Sequence, residues 1–396
     1  MTRARMPFLL LLALPLAACG KDVSPAPQAD PQARTTPEAK PAPTAELAPT
    51  ATPVTAPTAS AVASSASAVA PTASAARTAP ADSSAKKAAS AGVNAPLALP
   101  KASHGVLPAG AADKLIPSGG AAIVRLLDAG AEPRADLSYA IARGPAPNLG
   151  MAMDMAVRMK VGGRENEAKI PRLAMTLDGS VGETNDSGEW KILAGLLGIT
   201  VEGKGAEAEQ LAAAMRPQVQ AMKGLSIDYW LNPKGRVRDV KIALPKGFPP
   251  AAQSLVEGLN QSFESMVAPL PAEAVGVGAR WQVVSRMSAS GADLLQSALY
   301  TLKARDGVKA TLDVTTTQLS ASDTMKALGS PASSVSRVKS FSSGGTGTTR
   351  IDTTSVVPES GTTTMKTAMT VEVTQGGGPS EESVVETRTS VQLSRP

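Results

Sequence analysis

The most restrictive feature of the sequence is a long proline-rich stretch near its N-terminus. From Asp22 to about Pro100, roughly three quarters of the residues are Ala, Pro, Ser or Thr, and every aromatic residue except Phe8 lies at or after Tyr139. Prolines block helix formation and bias a chain towards polyproline-like extension. Such a segment cannot bury enough apolar surface to offset its conformational entropy. We therefore expect a disordered tether, and only the rest of the 396-residue chain can build a core.

The N-terminal residues have the pattern of a secretory signal. Arg3 and Arg5 precede an apolar run, and small residues follow it, which is the order found in signal peptides. The run is too short to cross a bilayer as a helix. We therefore expect a signal peptide over residues 1–18, the tether over residues 19–104 and a folded domain over residues 105–396.

A four-residue motif follows the apolar run. Residues 16–19 read Leu-Ala-Ala-Cys, which resembles the lipobox of bacterial lipoproteins, and Cys19 is the only cysteine in the chain. The resemblance implies that Cys19 becomes the first mature residue, carries a diacylglyceryl thioether and has an acylated amino group. Two or three acyl chains anchor a protein stably, whereas a single chain binds a membrane only marginally. Membrane lipid is therefore the expected partner of Cys19.

The residues after the motif bear on the compartment. Gly20 and Lys21 follow Cys19, without the aspartate that marks inner-membrane retention in some bacteria. By this resemblance we expect a cell-envelope location, with the outer membrane favoured. One alternative stays open, an ordinary cleaved signal with a chance cysteine. The tether likewise has two interpretations, a spacer that lifts the domain from the membrane or low-complexity filler.

Composition excludes several classes of function. With a single cysteine and a single histidine, His104, the chain cannot form a disulfide framework, a thiolate zinc cluster or a histidine-based catalytic triad. We expect no metal and no cofactor. Residues 105–396 carry 30 basic and 29 acidic side chains, whereas a nucleic-acid reader concentrates a basic excess on its folded domain. We therefore expect no nucleic-acid partner.

Period-two alternation of apolar and polar residues predicts strands through most of the folded part. It starts at Leu137, Tyr139 and Ile141 and continues to Thr-rich segments near the C-terminus. Threonines at alternate positions are typical of an antiparallel sheet with one solvated face. The Gly-x-Gly sequences at residues 276–278 and 345–347 lack the third glycine of a nucleotide-binding loop, so we interpret both as turns.

One predicted strand is unusual because its apolar face consists largely of methionines. Alternation from residue 151 to residue 161 places them on one side, with Asp154 and Arg158 on the other. Methionine adapts to varied apolar ligands, but it also fills irregular cores. Both interpretations stay open, a core beneath helices or a face for a lipid-like ligand. The residues concerned are Met151, Met153, Met155, Met159 and Met175.

Two segments have helical periodicity. Apolar residues on one face predict helices over Ala206–Lys223, which contains Pro217 and stops at Gly224, and over Pro250–Ala268. Helices in the middle of a series of strands indicate an α+β fold. We expect a large curved antiparallel sheet, or open half-barrel, of about a dozen strands with two central helices.

Two segments resemble known proteins. Residues 224–237, with Asn-Pro-Lys-Gly at 232–235, and residues 270–281, which end in Gly-Val-Gly-Ala-Arg-Trp, resemble a bacterial lipoprotein family catalogued only as a domain of unknown function. The order of strands and helices is also similar to the periplasmic lipoprotein-carrier fold, an open half-barrel that holds acyl chains. These resemblances imply a fold and carry no catalytic residue.

No catalytic motif is present in the sequence. There is no G-x-S-x-G elbow and no Walker sequence, and the carboxylates are scattered. We therefore predict a lipid-anchored envelope lipoprotein with a non-catalytic binding or structural module. Two alternatives stay open. One is a carrier or sensor of lipid-like ligands, and the other is a hydrolase of envelope polymer, which would need two carboxylates facing a groove.

Overall fold

The described part of the computed structural model is an antiparallel sheet of 13 strands with one α-helix packed on it. The structure describes residues 94–248, 267–289, 291–325, 334–375 and 380–396, which all belong to one compact unit. Cys19, the predicted signal peptide and most of the predicted tether lie outside these residues. So does the greater part of the predicted helix Pro250–Ala268.

Almost all secondary-structure elements of the described residues are strands. The first half contains β1 (Ile123–Asp128), β2 (Gly144–Val161), β3 (Arg164–Thr184), β4 (Trp190–Glu202), α1 (Ala206–Gln220), β5 (Ser226–Leu231) and β6 (Val237–Ala243). The second half contains β7 (Arg280–Ala289), β8 (Ala292–Asp306), β9 (Lys309–Ser320), β10 (Thr324–Met325), β11 (Ser334–Asp352), β12 (Ser360–Gln375) and β13 (Glu381–Ser394).

The sheet is open. Its strand order is β1-β7-β8-β9-β11-β12-β13-β2-β3-β4-β5-β6, and the short β10 pairs with β11. The two end strands of this order, β1 and β6, do not pair with each other among the described residues. The prediction of a large, mostly-β antiparallel sheet is therefore confirmed.

Cross-strand register divides the sheet into two faces, because residues directly opposite each other point to the same side. Met151 of β2 lies opposite Met175 of β3 and Leu393 of β13. We call the side that carries these three residues the inner face. Ala152 and the other even-numbered residues of β2 from Gly150 onwards lie on the opposite side, which we call the outer face.

The helix α1 covers part of the inner face. Its apolar stripe is buried at Ala212 and Met215 and shares a cluster with Ile199 of β4. The predicted helix is confirmed, but it ends three residues before Lys223. Gly224 then takes a φ of 86°, a conformation that favours glycine. No helix among the described residues is long and apolar enough to span a membrane.

The inner faces of the two ends of the sheet share one core, which we call the closed end. Trp281 of β7 and Leu302 of β8 come from one end of the sheet, and Ile192 of β4 and Leu231 of β5 come from the other. All four are at most 1% exposed. The Trp281 ring stacks on Tyr300 with 5.6 Å between ring centroids. The apolar sides of strands far apart in the sheet order therefore bury one another.

The prediction of a strand at residues 137–141 is wrong. Alternate side chains of this segment are buried at the closed end, but its backbone forms no ladder. The Tyr139 N–H donates to the Pro233 carbonyl at 2.8 Å, and the Ala140 N–H donates to the Thr353 carbonyl at 2.8 Å. The segment therefore bonds to two separate parts of the chain, and the alternation reflects burial on one side rather than membership of the sheet.

The prediction of a turn at residues 345–347 is also wrong. These residues lie within β11, paired with β12 and β9. A Cβ on Gly345 would lie 2.2 Å from the Met365 sulfur and 2.4 Å from the Thr364 carbonyl oxygen. Glycine is required there because β12 approaches closely. The other Gly-x-Gly sequence, residues 276–278, does lie in a turn.

The described chain contacts the sheet before residue 105. The Leu97 N–H donates to the Gln282 side-chain oxygen at 2.7 Å, and the Gln282 side-chain nitrogen donates back to the Leu97 carbonyl at 3.2 Å. Ile116 is buried on the outer face in a cluster with Val284 of β7. We call residues 97–116 the strap. Between these two contacts on the outer face, its backbone bonds to the backbone of Ser320 in β9 and of Phe341 in β11.

Candidate functional site

The methionines singled out by the sequence form one patch. Met151, Met153, Met155 and Met159 lie on the inner face of β2, and Met175 lies opposite Met151 on β3. All five side chains are half-buried. Met175 packs against the cluster beneath α1, whereas the other four belong to none of the four buried clusters of the described residues. The patch is neither enclosed core nor open surface.

The methionine patch continues across the sheet. Met155 lies opposite Thr389 of β13, which lies opposite Met365 of β12, which lies opposite Gly345 of β11. These residues are half-buried as well. We call this four-residue row the inner strip. It is a surface of thioethers and a hydroxyl in which Gly345 leaves room for the Met365 side chain.

A buried polar row crosses the inner face beside the inner strip. Ser343 Oγ donates to Gln318 Oε1 at 2.7 Å, and Gln318 Nε2 donates to Gln296 Oε1 at 2.9 Å. The Ser343 hydroxyl also lies 2.8 Å from the Thr367 hydroxyl. Because these groups satisfy one another, the row stabilises the register of β8, β9, β11 and β12.

A groove of about 700 Å³ lies on the outer face, and we call it the outer groove. Its floor is low because small residues lie there: Gly150, Ala152 and Ala174. A Cβ on Gly150 would lie 2.9 Å from Ser394 Oγ. Two cross-strand rows supply most of the lining, Thr311–Arg350–Ser360–Ser394–Gly150–Thr176 and Thr348–Thr362–Gln392–Ala152–Ala174.

An arginine stands on each side of the outer groove. Arg350 on β11 is half-exposed, and its Nε lies 2.8 Å from Glu359 Oε2. Arg172 on β3 donates from Nη1 to Asp154 Oδ2 at 3.1 Å and from Nη2 to Gln392 Oε1 at 3.3 Å. The partner carboxylates do not line the groove themselves. The groove therefore presents guanidinium, hydroxyl and amide groups, and Met151, Met175 and Leu393 of the inner-face rows also contribute to its lining.

Glu359 is held strongly in its charged form. Lys309 Nζ lies 2.6 Å from its carboxylate, and the hydrogen bond from Lys309 is the largest of the causes that lower the pKa of Glu359. Arg350 and Arg395 add further positive charge. Because Lys309 already pairs with Glu359, the carboxylate positions Arg350 without fully neutralising this cluster of cations.

Two smaller grooves on the outer face have a different charge pattern. Their volumes are about 440 and 270 Å³. In the first, Arg158 lies 3.2 Å from Glu165 and 3.3 Å from Glu167. The second is lined by Asp154 and Glu202 together with lysines and arginines. Both grooves have carboxylates in their lining, whereas no described residue that lines the outer groove has one.

The carboxyl groups with shifted pKa values do not have the shift that general acid catalysis requires. A general acid for glycoside cleavage needs a raised pKa. Hydrogen bonds lower the pKa of Asp136 mainly through Lys234 and that of Glu189 mainly through Arg238. All five shifted values among the described carboxyls are lowered, those of Asp136, Glu189, Asp352, Glu359 and Glu372. The described residues also contain no cluster of three or more potential metal ligands.

The outer groove was not foreseen by sequence reasoning. Arg172 and Arg350 lie in different halves of the sequence, and β2 and β3 reach the C-terminal strands only because β13 pairs with β2. The available signal was the alternation of threonines such as Thr362 and Thr364, which indicates a solvated face. It does not say which strands share that face.

Comparison with known proteins identifies no family. No protein-family model matches the chain, and no curated protein matches it. Among solved structures, one of lipovitellin, described for its lipid–protein interactions, matches with a TM-score of 0.34 and 10% sequence identity. That match covers 63% of this chain but only 25% of the lipovitellin chain. A similarity at this level does not establish a shared fold.

Proposed function

We propose that this protein is a lipid-anchored lipoprotein of the cell envelope whose sheet is a non-catalytic binding module. The observation that carries the binding role is the outer groove, a 700 Å³ concavity of the size that ligand sites have. Its described lining combines hydroxyl, amide and guanidinium groups with the apolar residues Met151, Met175 and Leu393, and contains no carboxylate. Groups of this kind bind and orient a ligand, and none of them is a nucleophile paired with a base.

The anchoring part of the proposal rests on the N-terminal sequence. Cys19 in its lipobox-like setting would carry the acyl chains, and the outer membrane is favoured by the residues that follow it. The strap begins at Leu97, so the spacer would comprise about 80 residues, which reach ~50 Å as a flexible coil or ~250 Å when fully extended. Such a spacer lets the groove search for ligands well away from the membrane surface.

The open half-barrel is the finer description of the fold that we propose. The inner faces of the two ends of the sheet share the core around Trp281 and Leu231, while β1 and β6 are not paired. An open half-barrel is a sheet that curls until its two ends meet through side chains, without backbone pairing between the end strands. The outer face then stays accessible to ligands.

Labelling with a palmitate analogue tests the anchor. In a bacterial host that matures lipoproteins, the wild type and the control Lys21→Ala should be labelled, because neither changes the modified sulfur. Cys19→Ser should not be labelled, since the chain has no other cysteine. Equal labelling of Cys19→Ser and the wild type would overturn the anchor.

Native mass spectrometry of the full chain carrying Cys19→Ser, purified from its own cells, tests the binding role. A co-purifying non-protein mass supports a binding module. The absence of any such mass, at a protein concentration that preserves micromolar complexes, would overturn it in favour of a purely structural role.

The half-buried inner strip favours a second candidate, a carrier of lipid-like ligands. Met155 and Met365 offer flexible apolar surface outside the buried clusters of the described residues, and thioether surfaces adapt to varied apolar ligands. This candidate expects the co-purifying mass to be extractable into organic solvent. It also expects that mass to disappear from Met153→Ala/Met155→Ala while substitutions in the outer groove leave it in place.

A further inference from the structure

The charge of the outer groove differs from that of its neighbours. Among the described residues that line it, Arg172 and Arg350 alone are ionisable, and both are cations. Six serine and threonine hydroxyls and the Gln392 amide complete the polar lining. The adjoining groove around Arg158 has Glu167 and Glu386 in its lining. A ligand in the outer groove therefore meets hydrogen-bond donors and two arginines, whose partner carboxylates, Asp154 and Glu359, lie outside the described lining.

The outer groove is long. Six adjacent strands, from β9 to β3, contribute to its lining, which corresponds to about 24 Å across the strands at the usual spacing of ~4.8 Å. Arg350 on β11 and Arg172 on β3 are four strand positions apart, or about 19 Å in the same measure. One carboxylate or phosphate cannot bridge that distance. A ligand that uses both arginines must extend across the strands and carry charge at intervals.

Arg350 is positioned to accept an anion. Its Nε lies against Glu359, which Lys309 also contacts. Its two terminal nitrogens make no hydrogen bond to any described residue, and half of the side chain is exposed. A guanidinium fixed at one nitrogen presents the remaining donors in a planar fork that matches carboxylate and phosphate oxygens.

The remaining polar side chains of the lining indicate a hydroxylated ligand. Ser360, Thr362 and Ser394 each combine a donor with acceptor lone pairs, the pairing that sugar hydroxyls require. The part of the lining that the structure describes contains no aromatic side chain, so it offers a neutral sugar ring no surface on which to stack. Affinity would have to come from hydrogen bonds and charge.

Resting on the proposed binding role, we propose that the outer groove binds an extended anionic glycan, a sugar chain with carboxylate or phosphate groups. The chain lies across the strands with its anionic groups at Arg172 and Arg350. Its hydroxyls exchange hydrogen bonds with the serine and threonine rows. The small residues Gly150, Ala152 and Ala174 form the floor on which it lies.

The test is calorimetric titration of the full chain carrying Cys19→Ser at about 0.15 M salt, where long-range charge effects are largely screened. The probes are polygalacturonate for carboxylates, a phosphomannan for phosphates and dextran as the neutral chain. We expect binding to at least one anionic probe and none to dextran. The stronger of the two anionic probes identifies the preferred group. Equal binding of dextran would overturn the anion requirement.

Substitutions locate the site. Arg350→Gln and Arg172→Gln should each weaken binding at least tenfold. Thr362→Trp, which fills the groove and leaves its charge unchanged, should abolish binding. Arg158→Gln is the matched control, an ion-paired arginine on the same face outside the groove, and should bind as the parent does. Circular dichroism and urea unfolding establish that each variant is folded.

The outcomes separate this inference from the proposed function. An equal loss of binding in Arg158→Gln would mean that the net charge of the outer face alone attracts the probes. It would refute the assignment of the site to the outer groove. No binding of either anionic probe, together with a co-purifying ligand in native mass spectrometry, would overturn the glycan inference and leave the binding module standing. No binding and no co-purifying ligand would overturn both.

Discussion

The closed end and the inner strip are built from similar strands but differ in burial. At the closed end, Trp281 and Leu302 are completely buried, because the inner faces of the two sheet ends meet there. In the inner strip, Met155 and Met365 alternate just as regularly and lie on the same inner face, yet they are only half-buried. Alternation therefore identifies the apolar side of a strand, while the element that lies across from it determines how deeply that side is buried.

The largest effect is expected at the closed end. Leu302→Ala removes a fully buried side chain and should lower the free energy of unfolding by about 2–5 kcal/mol. Urea unfolding measures the loss. Leu197→Ala is the matched control, because this leucine is 45% exposed, and it should change stability by less than about 0.5 kcal/mol. Similar losses for the two variants would contradict the contrast in burial.

The next largest effect is expected at the close approach of β11 and β12. Gly345→Ala would place a Cβ 2.2 Å from the Met365 sulfur and 2.4 Å from the Thr364 carbonyl oxygen, so it should cost about 1–3 kcal/mol through overpacking. The neighbouring Gly344→Ala is the control, since its Cβ would lie 3.4 Å from the nearest atom. Adding Met365→Ala to Gly345→Ala should restore part of the lost stability. If it restores none, the Met365 side chain is not the source of the strain.

A smaller effect is expected in the inner strip. Met155→Ala removes a half-buried side chain and should cost about 1–2 kcal/mol, below the 2–5 kcal/mol typical of fully buried methionine. Met153→Ala/Met155→Ala should behave additively if both side chains lie outside a packed core. A loss of stability for Met155→Ala as large as that for Leu302→Ala would show that the inner strip is packed core. The contrast in burial between the inner strip and the closed end would then be refuted.

The smallest effect concerns pH dependence at the closed end. Lys234 Nζ lies 2.5 Å from Asp136 Oδ1, and this hydrogen bond is the main cause that lowers the pKa of Asp136. A lowered folded-state pKa stabilises the fold above the unfolded value near 3.9, and that stability is lost as the pH falls through the folded value. The Asp136 side chain is 63% exposed, so the contribution of the pair should stay below about 1 kcal/mol.

Urea unfolding at pH 7 and at pH 2.5 tests this pair. Asp136→Asn should be slightly less stable than the wild type at pH 7, and the difference should shrink at pH 2.5, where the wild-type carboxyl is increasingly protonated. Asp186→Asn, at an exposed loop residue, should differ little from the wild type at either pH. A difference for Asp136→Asn that grows on acidification would reverse the sign and refute the ion pair.

Features that depend on neighbouring residues could be predicted from the sequence. The helix α1 is found within three residues of its predicted end because its apolar stripe and Gly224 are local signals. The hairpin of β5 and β6 turns at Asn232–Gly235, where the Asn232 N–H donates to the Arg236 carbonyl at 3.0 Å. The methionines of β2 lie on one face because a strand alternates strictly.

Features that depend on distant strands required the tertiary structure. The prediction at residues 137–141 was wrong because an extended segment between two sheet ends has the same alternation as a strand. The prediction at residues 345–347 was wrong because glycines at a close approach of two strands resemble the glycines of a turn. Arg172 and Arg350 line one groove only because β13 pairs with both β12 and β2. Periodicity is local, so the amino-acid pattern alone predicts the apolar side of β2 and the apolar stripe of α1. Burial depth and the outer groove depend on which strands become neighbours, a choice made by the collective packing of side chains far apart in the chain.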